Sequence, residues 1–198
     1  MMPVLYYVGH GETDFNAEAR LQGRRDTHLN ARGREQVKEC GHLLHDLFAR
    51  DGRAADDFFY VSSPLQRARD TMEGLRAVLR LDPKAYALDD RLVEISYGEW
   101  EGRTLPEIDA GSPGALAERE RDKWDFAPPG GESYRALTKR MAAWYAELTT
   151  DTVVTAHGGG ARALMALFNI MSRDDATHAP IMQGVVYVFV DGTVSRYA

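Results

Sequence analysis

Two histidines in this chain share a local setting that could do chemistry. His10 follows the apolar run Val4 to Val8 and lies between Gly9 and Gly11, while His157 follows Thr152 to Ala156 and precedes Gly158, Gly159 and Gly160. Flanking glycines free a ring from core packing and let a ligand come close to the backbone. A helical period begins after the second glycine run, and a helix N-terminus offers N–H groups that favour an anion. Two imidazoles beside such a helix start point to phosphoryl chemistry. The competing reading is two loop histidines that happen to end strands. Arg67 falls in the first turn of another helical period, where a cation opposes the helix dipole. That placement suits an anion beside it, and it equally describes a solvated charge. Glu94 stands between Val93 and Ile95, apolar neighbours that suit a raised carboxyl pKa; on its own it also reads as a surface carboxylate.

Strands and helices must bring these residues together. Short apolar runs at Val4 to Val8, Phe58 to Val61, Thr152 to Ala156 and Val185 to Val190 read as buried strands, and three of them end in Gly9-His10, Ser62-Ser63 and His157. Helical faces appear at Val37, Cys40, Leu44, Leu47 and Phe48, and at Ala68, Thr71, Met72, Leu75 and Leu79. The second face has a start signal, Ser63 as N-cap with Pro64 at the first helical position. A third helix starts near Ser133 and carries Leu137, Met141, Trp144, Tyr145 and Leu148; a fourth, with Leu164, Leu167, Phe168 and Met171, follows the glycines. Alternating strands and helices imply a single-domain three-layer α/β/α fold with a mostly parallel sheet covered on both faces. Ligands in such sheets bind beyond the carboxyl ends of the strands, where His10, Ser62-Ser63 and His157 fall. The stretch from about 98 to 131, rich in Gly, Pro and charge, reads as an insertion over that site.

Composition narrows the partners. The 198 residues carry 24 Lys and Arg against 30 Asp and Glu, a net charge of -6, which argues against nucleic acid or an anionic membrane as partner. An anionic ligand must then be captured locally. The lone cysteine, Cys40, excludes an internal disulfide and a multi-cysteine metal site. The opening Met1 to Val8 lacks a basic flank and a long apolar region, so the expectation is an unprocessed cytoplasmic protein. Exposed strand edges and the Trp-bearing insertion each offer a dimer contact, and the pattern does not choose between monomer and dimer.

Several segments taken in order carry a family resemblance. They are His10-Gly11-Glu12-Thr13-x-x-Asn16; Gln22-Gly23-x-x-Asp26-x-x-Leu29-Asn30-x-x-Gly33; Ser62-Ser63-Pro64-Leu65-x-Arg67-Ala68; Glu94-Ile95-Ser96-Tyr97-Gly98-Glu99-Trp100-Glu101-Gly102; Pro129-Gly130-Gly131-Glu132-Ser133; and His157-Gly158-Gly159. Their order and spacing resemble the histidine phosphatase (phosphoglycerate mutase-like) superfamily from about Val4 to Val190. The resemblance implies hydrolysis of a small phosphomonoester with no metal and no other cofactor. His10 is then the nucleophile that forms a phosphohistidine, and Glu94 the general acid that becomes the general base. Arg67 and His157 hold the equatorial phosphoryl oxygens, Asn16 and the Gly158 amide add neutral donors, and Thr13, Gln22 and Gly23 belong to the phosphate-binding segments.

One position departs from the pattern. The family signature has arginine immediately before the nucleophilic histidine, and this chain has Gly9. Losing a preorganised fork-shaped donor costs roughly 3 kcal/mol, about a hundredfold in rate. That describes a slow enzyme, a non-catalytic protein that binds a phospholigand or inorganic phosphate, or an enzyme that recruits Arg20, Arg24 or Arg25.

Other readings fare worse. His157-Gly158-Gly159-Gly160 also resembles a lipase oxyanion motif, but the chain has no Gly-x-Ser-x-Gly elbow. His42 and His45, three apart and near Asp46, have metal-ligand spacing without further ligands, and a solvated helix face is the plainer account. Trp100, Trp124 and Trp144 read as core or lid packing. A mutase is the third functional reading after hydrolase and binding protein. Mutases resembling this family carry Glu-Arg-His-Tyr-Gly where this chain has Glu94-Ile95-Ser96-Tyr97-Gly98, and this chain is expected to be shorter than they are.

Overall fold

The computed structural model describes residues 3–198. Its strands are β1 (Leu5–Gly9), β2 (Phe59–Ser62), β3 (Ala87–Leu88), β4 (Thr152–Ala156), β5 (Val186–Val190) and β6 (Thr193–Tyr197). The helices are α1 (Asp14–Ala17), α2 (Ala31–Arg50), α3 (Gln66–Val78), α4 (Leu105–Gly111), α5 (Ala115–Arg121), α6 (Tyr134–Tyr145), α7 (Gly158–Leu167) and α8 (Arg173–His178). The strands form one sheet in the order β3-β2-β4-β1-β5-β6. The pairs β2–β3, β2–β4 and β1–β4 are parallel, and β1–β5 and β5–β6 are antiparallel.

Side-chain alternation along β1 makes the three layers. Tyr6 and Val8 point into a core with Val37, Leu44 and Phe48 of α2 and Met72 and Leu75 of α3. Leu5 and Tyr7 point the other way, into a core with Leu137, Met141 and Trp144 of α6 and Leu164 of α7. Central strands are covered on both faces, which is why β1 and β4 read as unbroken apolar runs. Cys40 lies buried in the α2 core, where burial pushes its thiol pKa up to about 12.

The fold class is as the alternation implies, with differences of detail, among them the short strand β3, which the sequence reading did not contain. The run at residues 185–190 is antiparallel to β1, and it pairs with a strand absent from the sequence reading, β6. Asp191 and Gly192 both take positive φ, 46° and 74°, the turn geometry that matches strand twist in a two-residue hairpin. β6 is exposed on its polar residues and so carries no apolar run to betray it.

The start of α3 also differs. The helix begins at Gln66 rather than Pro64, with no side-chain cap from its neighbour Leu65. Ser63 is diverted, because its Oγ lies 2.8 Å from His157 Nε2. The cap comes from a distance: Asp26 Oδ1 accepts the Gln66 N–H at 2.7 Å. Ser133, by contrast, caps α6 as read, accepting the Ala136 N–H. Trp144 and Trp100 are buried, Trp100 against Phe126.

Tyr7 ties β1 to the end of β4. Its hydroxyl accepts the His157 N–H at 3.1 Å and donates to the His157 carbonyl at 2.5 Å. Gly160 makes room, since a Cβ there would stand 2.5 Å from that hydroxyl. Tyr7→Phe strands the buried His157 N–H, while the carbonyl keeps the Ala161 N–H at 3.2 Å, and we expect it to cost about 1–3 kcal/mol of stability. In thermal unfolding this lowers Tm by about 2–4 °C per kcal/mol for a chain of this size. An unchanged Tm shows that the hydroxyl is not holding the two strand ends together.

Candidate active site

The carboxyl ends of β1, β2 and β4 deliver three polar loops to one edge of the sheet. Between them is a cavity of about 240 Å³. Its walls include His10, Asn16, Gln22, Gly23, Arg67, Glu94 and Gly158 from the sequence reading, together with Arg20, Leu21, Tyr97, Arg162, Ile181 and Gln183.

The loop after β1 is fixed by backbone contact. A Cβ on Gly11 would lie 2.5 Å from the Gly33 carbonyl oxygen, and one on Gly33 would lie 2.2 Å from that of Glu12. Around this contact, Glu12 O accepts the Asn30 N–H at 2.9 Å, Gln36 Oε1 accepts the Glu12 N–H at 2.9 Å, and Thr71 Oγ1 accepts the Gly11 N–H at 3.1 Å. His10, 6 % exposed, is thus presented from a rigid turn. Its Nδ1 lies 2.7 Å from the Gly11 carbonyl, which can only accept, so Nδ1 carries the proton and Nε2 keeps its lone pair. Burial, reinforced by the Arg67 charge, pulls its pKa down to about 3.

His157 is fully buried, with its ring centroid 5.3 Å from that of His10. It is absent from the cavity lining. Burial, then the Arg67 charge, holds it well below the usual imidazole range. While Nε2 meets Ser63 Oγ, Nδ1 is buried without a hydrogen-bond partner. Arg67 is 0 % exposed and has no carboxylate within 4 Å among the described residues. Its Nη1 donates to Arg25 O and its Nη2 to Gly23 O, both at 2.8 Å, and Nε has no partner. Burial pulls the guanidinium pKa down, against Glu94, Asp26 and Glu101, which raise it.

Glu94 faces the start of α7. Its Oε1 accepts the Ile95 N–H at 2.8 Å and the Gly159 N–H at 3.1 Å. Gly159 has to be glycine, because a Cβ there would stand 2.3 Å from Oε1. Burial raises the Glu94 pKa, although these two N–H groups, Arg67 and Arg162 each pull it back. A carboxyl whose pKa is raised, beside an imidazole with a free lone pair, is a pairing suited to nucleophilic attack and protonation of a leaving group.

The remaining candidates divide. Asn16, Gln22, Gly23 and Gly158 reach the cavity. Thr13 does not line it: fully buried, it caps α1 by accepting the Asn16 N–H and donates to Gln22 Oε1 at 2.9 Å. A Cβ on Gly9 would meet nothing within 4 Å. Of the three arginines considered as recruits, only Arg20 lines the cavity, and it is bound to Glu18, Glu107 and the Gly102 carbonyl. Arg24 is exposed, and the Arg25 guanidinium packs on Gly102. His42 and His45 are exposed on α2, and no group of three or more His, Cys, Asp or Glu among the described residues is arranged to hold a metal. No described helix is long and apolar enough to cross a membrane.

Sequence reasoning passed over Arg162 and Tyr97. A signal for Arg162 was present: it lies four residues after Gly158, one turn along the same helix face, and is another cation near a helix start.

This sheet, with two imidazoles, a buried guanidinium and a carboxyl at its carboxyl edge, belongs to a known class. The chain is a member of the histidine phosphatase superfamily (branch 1), whose family model matches residues 5–190. It is 35% identical over 175 residues to a glucosyl-3-phosphoglycerate phosphatase of Mycolicibacterium vanbaalenii, covering 82% of this chain and 72% of that protein. The solved structure of a mycobacterial glucosyl-3-phosphoglycerate phosphatase complexed with VO3 superposes with TM-score 0.75 at 28% identity, covering 98% of this chain and 96% of that one. A 2,3-bisphosphoglycerate-dependent phosphoglycerate mutase of Azorhizobium caulinodans is 29% identical over 206 residues, 98% of this chain and 96% of its own. Length therefore does not separate this chain from that mutase, contrary to expectation.

The depressed His10 pKa ties stability to pH. Between about pH 6.5 and about pH 3 the unfolded chain binds a proton at this residue that the folded chain does not, so acidification favours unfolding. For this one group the loss grows by about 1.4 kcal/mol per pH unit, and it vanishes above 6.5. Urea unfolding of His10→Asn is expected to lose less stability than the parent between pH 6.5 and 4.5. Equal losses mean that the folded ring is already protonated in that range.

Proposed function

We propose that this protein is a phosphomonoester hydrolase acting through a phosphohistidine at His10. The observation that carries the reading is the hydrogen bond from His10 Nδ1 to the Gly11 carbonyl, which leaves Nε2 unprotonated beside a buried guanidinium with no carboxylate partner. In this scheme Nε2 attacks phosphorus and the bond to the ester oxygen breaks. Glu94 gives that oxygen its proton. A water then attacks the phosphohistidine, Glu94 takes up its proton, and phosphate leaves with His10 restored.

The equatorial oxygens are held by Arg67, His157, Asn16 and the Gly158 N–H as charge spreads over them. Ser63 Oγ accepts the Leu65 N–H at 3.4 Å, leaving its own hydrogen for His157 Nε2. That places the imidazole proton on Nδ1, the atom without a protein partner. Gln22 and Gly23 complete the wall, and Thr13 acts through Gln22 and Asn16. Ile95 and Ser96 supply neither the arginine nor the histidine expected beside a mutase's substrate carboxylate, which favours release of phosphate to water. We read residues 98–131 as an insertion within a single domain that backs the site: Glu101 Oε1 accepts the Arg24 and Tyr97 N–H groups at 3.0 and 3.1 Å. The cytoplasm suits a buried free thiol and a small phosphorylated substrate.

Gly9 favours a second reading, a non-catalytic phospholigand-binding protein of the same fold. Hydrolysis of an aryl phosphate by the parent, Gly9→Arg and His10→Ala separates the two. The open space at Gly9 admits a side chain, so Gly9→Arg is expected to raise the rate about a hundredfold over a slow parent. Parent and Gly9→Arg rates both equal to that of His10→Ala sink the hydrolase. Glucosyl-3-phosphoglycerate, the substrate named for the relative, is the first specific compound to offer.

The pH profile tests the roles. His10 must be neutral, which holds above about pH 3, and Glu94 must be protonated, which fails as pH rises through its raised pKa. We expect kcat/KM to be bell-shaped, with an acid limb near pH 3 from His10 and an alkaline limb set by Glu94. Glu94→Gln should slow the enzyme about 10²–10⁴-fold and remove the alkaline limb; a limb that survives belongs to another group.

A further inference from the structure

The mechanism above leaves one charged wall of the cavity unused. Arg162 projects from α7 one turn beyond Gly158, half-buried, with no carboxylate within 4 Å among the described residues. Two neutral groups tether it: Nε donates to the Ala179 carbonyl at 2.8 Å and Nη1 to the Tyr134 hydroxyl at 3.4 Å. Nη2 makes no hydrogen bond to the described residues. The side chain is therefore aimed and held in a confined space with no ion-pair partner, and Glu94 acts on its charge only from beyond ion-pair distance. Such a placement is costly unless an anion arrives.

Its position says which part of a substrate that anion belongs to. Nη1 stands 3.5 Å from where a Cβ would sit on Gly158, and the Glu94 carboxylate lies against the neighbouring Gly159. Arg162 thus shares with Glu94 the side on which the leaving group must receive its proton. Tyr97, Ile181 and Gln183 complete this wall. Two more cations approach from the 98–131 segment. Arg119 on α5 is paired with Glu120, which also meets His178, and Lys123 is pulled down to about 8 by burial, by Arg119 and by Arg162.

We propose that Arg162 is a specificity-determining residue of this site: its guanidinium receives a carboxylate carried by the leaving group, so the preferred substrates are phosphomonoesters of hydroxy acids. This rests on the phosphomonoesterase reading for the location of the ester oxygen. A fork-shaped donor with Nη2 free and Nη1 held only by a 3.4 Å contact to a hydroxyl can turn its terminal N–H groups to a planar carboxylate.

The test separates binding from turnover. Binding of 3-phosphoglycerate and of glycerol 3-phosphate, which differ in a carboxylate against a hydroxymethyl group, is measured calorimetrically on His10→Ala, which cannot turn over. We expect the carboxylate compound to bind roughly tenfold to a hundredfold tighter, the range of a hydrogen bond to a charged group. In His10→Ala/Arg162→Met that ratio should fall towards one, and in His10→Ala/Arg162→Lys it should fall only in part. Equal affinities in His10→Ala overturn the proposal, whatever the double variants do. So does an equal loss for both ligands in Arg162→Met, which assigns the residue to the phosphoryl group or to the fold. Failure of the hydrolysis assay with the binding preference intact sinks the phosphatase reading and leaves a carboxylate-selective binding site.

Discussion

Arg67 is a whole guanidinium buried without a carboxylate, and much of the surrounding structure follows from keeping it there. Burying a charge costs several kcal/mol unless other dipoles replace water. The segment 23–25 supplies them by turning two carbonyls onto the two terminal nitrogens. That turn needs positive φ at Gly23, where a side chain would also meet Glu101 at 2.1 Å. It also carries Asp26 to the start of α3, where it caps the helix on which Arg67 sits. The positive field so built lowers both imidazole pKa values and opposes the burial that raises Glu94. Burial is the larger cause at all three, and the Arg67 charge adds to it at both imidazoles and works against it at Glu94.

Close backbone approach is the second constraint, and it explains glycines that a motif only names. The pair Gly11 and Gly33 lets the His10 loop rest on the first turn of α2. At the start of α7 the glycines have different reasons. Gly159 admits the Glu94 carboxylate, Gly160 admits the Tyr7 hydroxyl, and Gly158 makes only ordinary contacts, with Arg162 and Ile181. The helix start is therefore shaped from both sides, by the acid on one and by the tyrosine hydroxyl that binds the His157 backbone on the other. This fixes the carboxyl on the Gly159 N–H, one residue beyond Gly158, which lines the cavity at the same helix start.

Some of this was legible in the chain because it is local. Apolar runs ending in His10 and His157, helical faces such as Val37, Cys40 and Leu44, and the Ser133 cap depend on neighbours within a few residues, and the structure has them where the pattern puts them. Motif order identified the family and gathered most of the cavity residues, though not their contacts. Ser63 shows where local logic fails. Its sequence context is that of a helix cap, but a histidine 94 residues away claims the hydroxyl, and Asp26, 40 residues before Gln66, takes over the cap.

The sequence by itself determined the layered α/β class, the family and the list of titratable groups, since periodicity and motif spacing are properties of the chain. Tertiary structure alone decided which groups meet and in what state. Thr13 turned inward to cap α1 and hold Gln22, Arg20 was spent on two carboxylates, and Arg162 was left facing the cavity with none. The physical reason is that charge state and hydrogen-bond pairing depend on burial and on partners brought from across the sheet. Those quantities do not exist until the chain has closed on itself.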